Sequence, residues 1–463
     1  MKNVLLFAAL MLGMGLNAKS YLITPPDSNA NIIEKSTAGI AVSEGRAFLG
    51  EGNVRQALLK FREAIKKDPK NAMGHYYLGE CNFLLKRYEN ALESINDAVK
   101  IKPEVSDEAE YLMAQCQQAL GDLENALKNF QEANAKIKNA QRKRDLRVDD
   151  MIAQCEYAIK EKKKENPIAV KLLEGDINSI YPQYGFLWAD SIAYFTSRRP
   201  NTTGGGINPS DNVYFEDIYG ATWNEGTGQY DKISNEISRI NTNGFESISY
   251  ITPDGMMCLM TVNNEMARAK EDKVKYKTGS SDIWYSKKSK RGTWNSPRPY
   301  GKEVNTSFYE GTAVLSPDGE TMYFVSERKG GKGESDIWMA EKAGNDWGKA
   351  VNLGDSINTP YRETTPYITT DGKYLIFASK GHDENMGGYD IFVSKKGRDG
   401  WEKARNIGAN INSETDDFYF RMKPDGKTGY ISRIVVEEGV GNYKILEVDL
   451  SNLNLEELTK KKK

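Results

Sequence analysis

The feature that most restricts this chain is a pair of short signals that recurs five times, at fixed spacing, in its second half. Asparagine followed by Ser or Thr stands at Asn178, Asn241, Asn305, Asn358 and Asn412. A turn aspartate follows 12, 13, 13, 13 and 13 residues later, at Asp190, Asp254, Asp318, Asp371 and Asp425. Four of these turns read Pro-Asp-Gly or Thr-Asp-Gly, and Ala189-Asp190-Ser191 is a degenerate copy. Glycine there supplies the positive φ of a tight strand reversal, and an apolar run such as Thr321 to Val325 follows each turn.

A third strand opens at Asp217, Asp282, Asp336 and Asp390, each followed by Ile and an aromatic residue. A fourth runs from Trp294, Trp347 or Trp401 to the next asparagine. Four strands repeated radially leave no free edge, so the pattern predicts a β-propeller over residues 167–450. Five blades are expected, with six as the alternative if the long segment around Trp223 hides another. The segment from Ala169 to Asn178 matches the fourth strands but precedes the first complete unit, so it should complete the last blade and close the ring.

The first half repeats differently. Ala57, Ala91 and Ala126 recur at steps of 34 and 35 residues, followed by Phe61, Ile95 and Phe130, and then by Ala64, Ala98 and Ala133. Pro69 and Pro103 close the first two units, and Gly45, Gly79 and Ala114 fill another small position. Small residues let paired helices approach, the large residue fills the space between them, and proline stops the second helix. The run Ile152-Ala-Gln-Cys155 repeats Met113-Ala-Gln-Cys116 and suggests a capping helix. The period and these residues resemble the tetratricopeptide repeat family. They imply an α-solenoid of three repeats and a cap over 36–166, whose concave groove would present Arg46, Tyr76, Glu80, Tyr111 and Gln115 to protein partners. For the two tyrosines the alternative is a place in the seam between helices.

Ahead of the array, Lys2, the apolar run Val4 to Leu16 and the small residues near Ala18 read as a secretory signal over 1–18. A linker over 19–35 is expected, and a polar tail over 451–463. An exported chain with four cysteines permits disulfides, but Cys81, Cys116 and Cys155 fall on equivalent helix faces, so buried free thiols are expected for these and Cys258. The basic run Lys160 to Lys164 reads as a solvated helix end.

Sixty-three basic against sixty-five acidic side chains give a net charge of −2, without the footprint of a nucleic-acid binder. Two histidines, His75 and His382, leave little material for histidine metal sites or triads, and His382 reads as an exposed turn residue. Eight residues before the turn aspartates lie Glu246, Glu310, Glu363 and Asp417, with Pro182 in the first blade. Strand alternation brings Glu310, Arg328 and Asp336 together in one blade, and Asp417 and Arg433 in another. Their equivalent recurrence favours a hydrogen-bond network tying the loops over a calcium-binding ring. It also argues against a glycosidase, which needs two carboxylates in different environments. No catalytic residue, metal or cofactor is assigned. The long loops 198–216 and 263–281 are candidates for protein docking.

The Pro-Asp-Gly and Asp-Ile-Trp repeats resemble the TolB-type, WD-like propellers of bacterial envelope proteins. An exported tetratricopeptide array followed by a propeller is similar to envelope proteins of the Bacteroidetes, including the PorE-type component of type IX secretion, though without the OmpA-like domain those relatives carry. The resemblance implies a periplasmic, non-enzymatic adaptor that binds outer-membrane or secretion components. The alternative is a carbohydrate- or peptidoglycan-binding propeller with or without hydrolase activity.

Overall fold

The computed structural model describes residues 30–189, 191–203, 206–208, 211–263 and 281–460. The expected signal peptide and most of loop 263–281 lie outside them.

Three antiparallel helix pairs open the described chain: α1 (Ile32–Gly50) with α2 (Val54–Lys67), α3 (Ala72–Leu84) with α4 (Tyr88–Ile101), and α5 (Ala109–Ala119) with α6 (Leu123–Lys136). A short α7 (Ala140–Asp145) leads to α8 (Val148–Glu161), which packs on α6 as a first helix would in a fourth repeat. Asn31 caps α1 through a reciprocal capping box with Glu34, so the array starts within the expected linker. The repeat has a plain steric origin. A β-carbon added to Gly45 would come within 2.5 Å of Phe61, and one on Gly79 within 2.5 Å of Ile95. The small residue of each first helix is therefore the socket for the large residue of its partner. Ala57, Ala91, Ala126, Phe61, Ile95 and Phe130 are all fully buried.

The sheets form a five-bladed propeller. Blade one comprises β2 (Gln183–Ala189), β3 (Ile192–Ser197), β4 (Asp217–Asn224) and β5 (Gln229–Ser234). Blade two comprises β6 (Phe245–Ile251), β7 (Met257–Asn263), β8 (Asp282–Lys287) and β9 (Arg298–Pro299). Blade three holds β10 (Glu310–Leu315), β11 (Thr321–Ser326), β12 (Asp336–Ala343) and the short β13 (Asp346–Trp347) and β14 (Val351–Asn352). Blade four holds β15 (Glu363–Ile368), β16 (Tyr374–Ser379), β17 (Asp390–Lys395) and β18 (Arg405–Asn406). Blade five orders β19 (Asp417–Met422), β20 (Thr428–Glu437), β21 (Val440–Asp449) and, outermost, β1 (Val170–Leu172). Val170 opposite Val448 and Leu172 opposite Leu446 close the ring as the sequence implied. The segment around Trp223 pairs within blade one through β4 and β5, so it hides no sixth blade.

The recurring asparagine is the joint between blades. Asn241, Asn305, Asn358 and Asn412 each accept from the N–H and donate to the C=O of one isoleucine in the preceding blade's third strand: Ile218, Ile283, Ile337 and Ile391. Asn178 does the same for Ile445 across the closure. One amide thus satisfies the isoleucine N–H and adds a bond to its carbonyl, which in Ile283, Ile337, Ile391 and Ile445 also accepts an N–H from the fourth strand.

One expectation at the C-terminal end changes. The tail is not wholly polar, because α9 (Leu455–Thr459) follows Leu453, and Leu453, Leu455 and Leu458 pack on the cluster of Ile168, Tyr374 and Leu450. The four cysteines are free and buried, as expected, with burial pushing each thiol up to about 12. Among the described residues no helix is long and apolar enough to cross a membrane.

Candidate functional site: the concave face of the helical array

The first helices α1, α3 and α5 lie side by side, and of the expected groove residues they leave Arg46 exposed and Glu80 and Gln115 half-buried. The Arg46 guanidinium sits 5.3 Å from the centre of the Tyr77 ring, which itself stacks on Phe61. Burial raises the Glu80 carboxyl above its usual range, reinforced by Glu108 and opposed by Arg142 and Arg46. Tyr77 carries no repeat signal, since the same position holds Leu112 in the next unit.

Tyr76 and Tyr111 are corrected to the inter-helix seam. They are only 7% and 8% exposed. Ser106 lies at the Tyr76 hydroxyl, and the Tyr111 hydroxyl donates to the Leu146 carbonyl at 2.7 Å, so each ties its helix to the loop before the next unit. Burial pushes both hydroxyls up to about 12, leaving them neutral.

The far half of the concave side is filled by the propeller. Met386, from the blade-four loop between β16 and β17, is 1% exposed and packs in the cluster of Tyr111, Ala114, Phe130 and Cys155. Arg147 donates to the Lys380 carbonyl at 2.8 Å and covers the Tyr361 ring, whose hydroxyl donates to Asp150 at 2.9 Å. Lys162 is exposed, as expected of a solvated helix end, and also pairs with Glu414 at 2.8 Å. A second contact joins the turn between α3 and α4 to the β20–β21 hairpin. Gly441 donates to the Lys86 carbonyl and the Tyr88 N–H to Gly439, both at 2.8 Å. The Lys86 ammonium then lies 5.1 Å from the Tyr443 ring. The two strands of that hairpin are ten residues long against six for their counterparts in blade four, which lets them reach the array. A crevice of about 520 Å³ remains between array and blade five, lined by Ala119, Lys162, Met386, Glu414 and Arg433.

The propeller-face residues occupy separate joints and do not form a ring site. Glu246, Glu310, Glu363, Asp336 and Asp417 are fully buried. Glu310, Glu363 and Asp417 each accept from the Ser or Thr four residues earlier, through both its hydroxyl and its N–H. The position in blade one is Gln183, not Pro182, because the turn there is one residue shorter. Its amide is held by Ser179 in the same way. Counting four residues on from the Ser or Thr finds it at once. Arg328 pairs with Glu310 at 3.5 Å, and Arg433 with Asp417. Asp336 does not join Arg328: it accepts from the N–H groups of Lys332 and Gly333 and from Asn352. Among the described residues no group of three or more His, Cys, Asp and Glu could hold a metal ion. His382 is not an exposed turn residue, since its Nε2 lies 2.8 Å from the Ile357 carbonyl and its ring packs on Phe377 and Phe392. Burial lowers its pKa.

Comparison with known proteins bears on the helical part. Two tetratricopeptide repeat models match residues 42–106 and 108–136. A TPR repeat-containing protein of Methanocaldococcus jannaschii is 33% identical over 98 residues, covering 21% of this chain and 17% of that protein. The chain therefore spans about a sixth of that relative. Among solved structures, the array is similar to the Yersinia enterocolitica type III secretion chaperone SycD in complex with a peptide of the translocator YopD (23% identity, 29% of this chain, 100% of the other, TM-score 0.25). It is also similar to the first TPR of Spaghetti (RPAP3) bound to an HSP90 peptide (21% identity, 26% and 95%, TM-score 0.23). The chain is a tetratricopeptide array followed by a five-bladed β-propeller.

Proposed function

We propose that this protein is a non-enzymatic scaffold that engages a protein partner through the open half of its concave face, with Arg46, Tyr77 and Glu80 as the contact residues. The observation that carries the reading is the asymmetry of that face. Its second half is sealed by Met386 and the blade-four loop, whereas among the described residues Arg46 stays exposed over a half-buried Tyr77 and beside a half-buried Glu80. An aromatic ring flanked by a guanidinium and a carboxylate is the kind of anchor that supplies most of the energy of a protein interface. The docked propeller then serves as a rigid mount, in place of a second surface joined by a flexible tether.

The cell envelope is the proposed setting, from the signal-like N-terminus and the resemblance to TolB-type and PorE-type proteins, with outer-membrane or secretion components as partners. The glycosidase alternative has less support, because the carboxylates it needs are buried, bonded to Ser or Thr, and out of reach of a saccharide. Affinity capture after mild cross-linking tests the reading. A reproducible set of partner chains should be recovered with the wild type and lost with Arg46→Ala/Tyr77→Ala/Glu80→Ala. Recovery of the same set with the triple variant would reject this surface.

A further inference from the structure

The first helix of each later pair buries one face on the pair before it. Five residues before and two after the small position Gly79 of α3 lie Gly74 and Cys81, and Ala109 and Cys116 hold those places around Ala114 in α5. Gly74 sits against Ala64 and Ile65 of α2, and Cys81 joins the cluster of Ala57, Phe61 and Ala64. Ala109 and Cys116 join Ala91, Ile95 and Ala98 of α4. Cys81, Ala109 and Cys116 are fully buried. Among the described residues no pair precedes α1, and the equivalent Ile40 and Ala47 are exposed. The outer face of a solenoid's last repeat is ordinarily polar. Here Ile32, Ile33 and Ile40 are 87%, 74% and 57% exposed.

The uncovered face has the spacing of a helix–helix seam. Ile33, Ser36, Ile40, Ser43, Ala47 and Gly50 follow one another at alternating steps of three and four residues, all six are exposed, and none is charged. Turned antiparallel on a second copy of itself, the seam sets Ile40 opposite Ser43, Ile33 opposite Gly50 and Ser36 opposite Ala47. Each isoleucine then meets a small residue. At Gly50 nothing lies within 4 Å of where a β-carbon would stand, so the opposing side chain can reach the backbone. Glu44, at the rim and paired with Lys60 at 2.6 Å, comes opposite Thr37, so like charges do not meet. In a parallel pairing the isoleucines would meet only each other, and the four small residues would face one another across a gap.

We propose that α1 is the contact between two copies of this chain, paired antiparallel about a two-fold axis that passes beside the turn between Ile40 and Ser43. A single helix pair buries less than the roughly 1,200 Å² of a standard interface, so the dimer exchanges with monomer and its share rises with concentration. Pairing does not use Tyr77 or Glu80, so this contact and the concave face can each exist without the other. Together they place two open concave faces in one particle, which raises the effective concentration for a partner with two binding segments.

Sedimentation of the full chain over a concentration series reads the association directly. The wild type should move from monomer towards dimer, and Ile40→Glu should weaken that association about tenfold or more, because it sets a charge in the seam. The variant should keep the helical signal and melting temperature of the monomer, since Ile40 is largely exposed within one copy. A second measurement mixes Ile40→Cys with tagged Ser43→Cys under mild oxidation, where the four buried native cysteines do not compete. The mixed disulfide between position 40 of one copy and position 43 of the other should form faster than either like-with-like disulfide. A monomer at every concentration, a dimer that Ile40→Glu leaves intact, or a like-with-like disulfide at position 40 forming first would each overturn the proposal. So would a wild type that becomes dimeric only after residues 19–29 are deleted, because the preceding segment would then be what covers the face.

Discussion

Replacing Arg433 by methionine isolates one buried ion pair and asks whether the propeller joints are as tightly satisfied as the structure shows. The Arg433 Nε donates to Asp417 Oδ1, and its Nη2 donates to the carbonyls of Asn410 and Ile411 at 2.8 and 2.9 Å. Asp417 is fully buried and its other oxygen takes the N–H and hydroxyl of Ser413, both at 2.7 Å. Removing the guanidinium leaves Asp417 Oδ1 without its partner, at the floor of the crevice that Arg433 lines. Breaking a buried pair from one side costs about 3 to 5 kcal/mol, more than the intact pair contributes over an apolar substitute. Methionine keeps much of the stem volume, so most of this loss is electrostatic. The Asp417 carboxyl is already raised to about 6, chiefly by burial and against the pull of Arg433. The loss should therefore shrink at pH 5, where the orphaned acid takes up a proton. Adding Asp417→Asn should restore about 1 to 3 kcal/mol at pH 7, the remainder reflecting the two carbonyls. Urea unfolding followed by tryptophan emission reads the propeller, since all seven tryptophans lie within it. A loss under about 1 kcal/mol at pH 7, with no relief from Asp417→Asn, would refute the reasoning.

Further outcomes follow from the same geometry. Asn358→Ala leaves the buried Ile337 N–H without a partner, while the Ile337 carbonyl keeps the Leu353 N–H, and should lower propeller stability by about 1 to 3 kcal/mol in urea unfolding. Met386→Glu places a charge in the cluster that joins array to blade four. It should leave both modules folded by circular dichroism and enlarge the scattering radius of the chain. Gly45→Val forces a side chain into the Phe61 ring and should cost about 1 to 3 kcal/mol in the array's thermal transition. Burial, the largest cause, raises Glu363 to about 7 from an ordinary 4.5. A carboxyl whose folded value lies above its unfolded one stabilises fully below about 4.5 and loses that contribution as pH rises towards 7. Glu363→Gln should flatten the fall in melting temperature across that window.

The two repeats were legible because each repeated residue does one local job. Ala57 and Phe61 form socket and filler within a helix pair, and Asn241 with Thr242 binds one joint, so spacing alone exposes them. Ring closure was legible for the same reason, as a fourth-strand pattern standing ahead of the first blade. What joins the two modules was not legible. Met386, Arg147, Tyr361 and Lys162 each act once, so no period marks them, and Lys162 looks in sequence like any solvated helix end. The blade-five hairpin turns at Glu438 and Gly439, after ten-residue strands where blade four has six. Counting back from the turn, whose length varies, gives Pro182 in blade one, whereas counting on from Ser179, which binds the side chain, gives Gln183. The seam tyrosines were placed by helical position, which sets a direction but not what the following loop brings against it.

The most direct measurement of the central claim is site-specific photo-crosslinking in the native cell, with a photoreactive residue placed in turn at Tyr77, at Glu80 and at exposed Leu59 on α2, a second helix. A scaffold that binds through the open half of its concave face gives the same partner adduct at 77 and 80 and none at 59. Adducts at 59 alone, or none at 77 and 80, would contradict it.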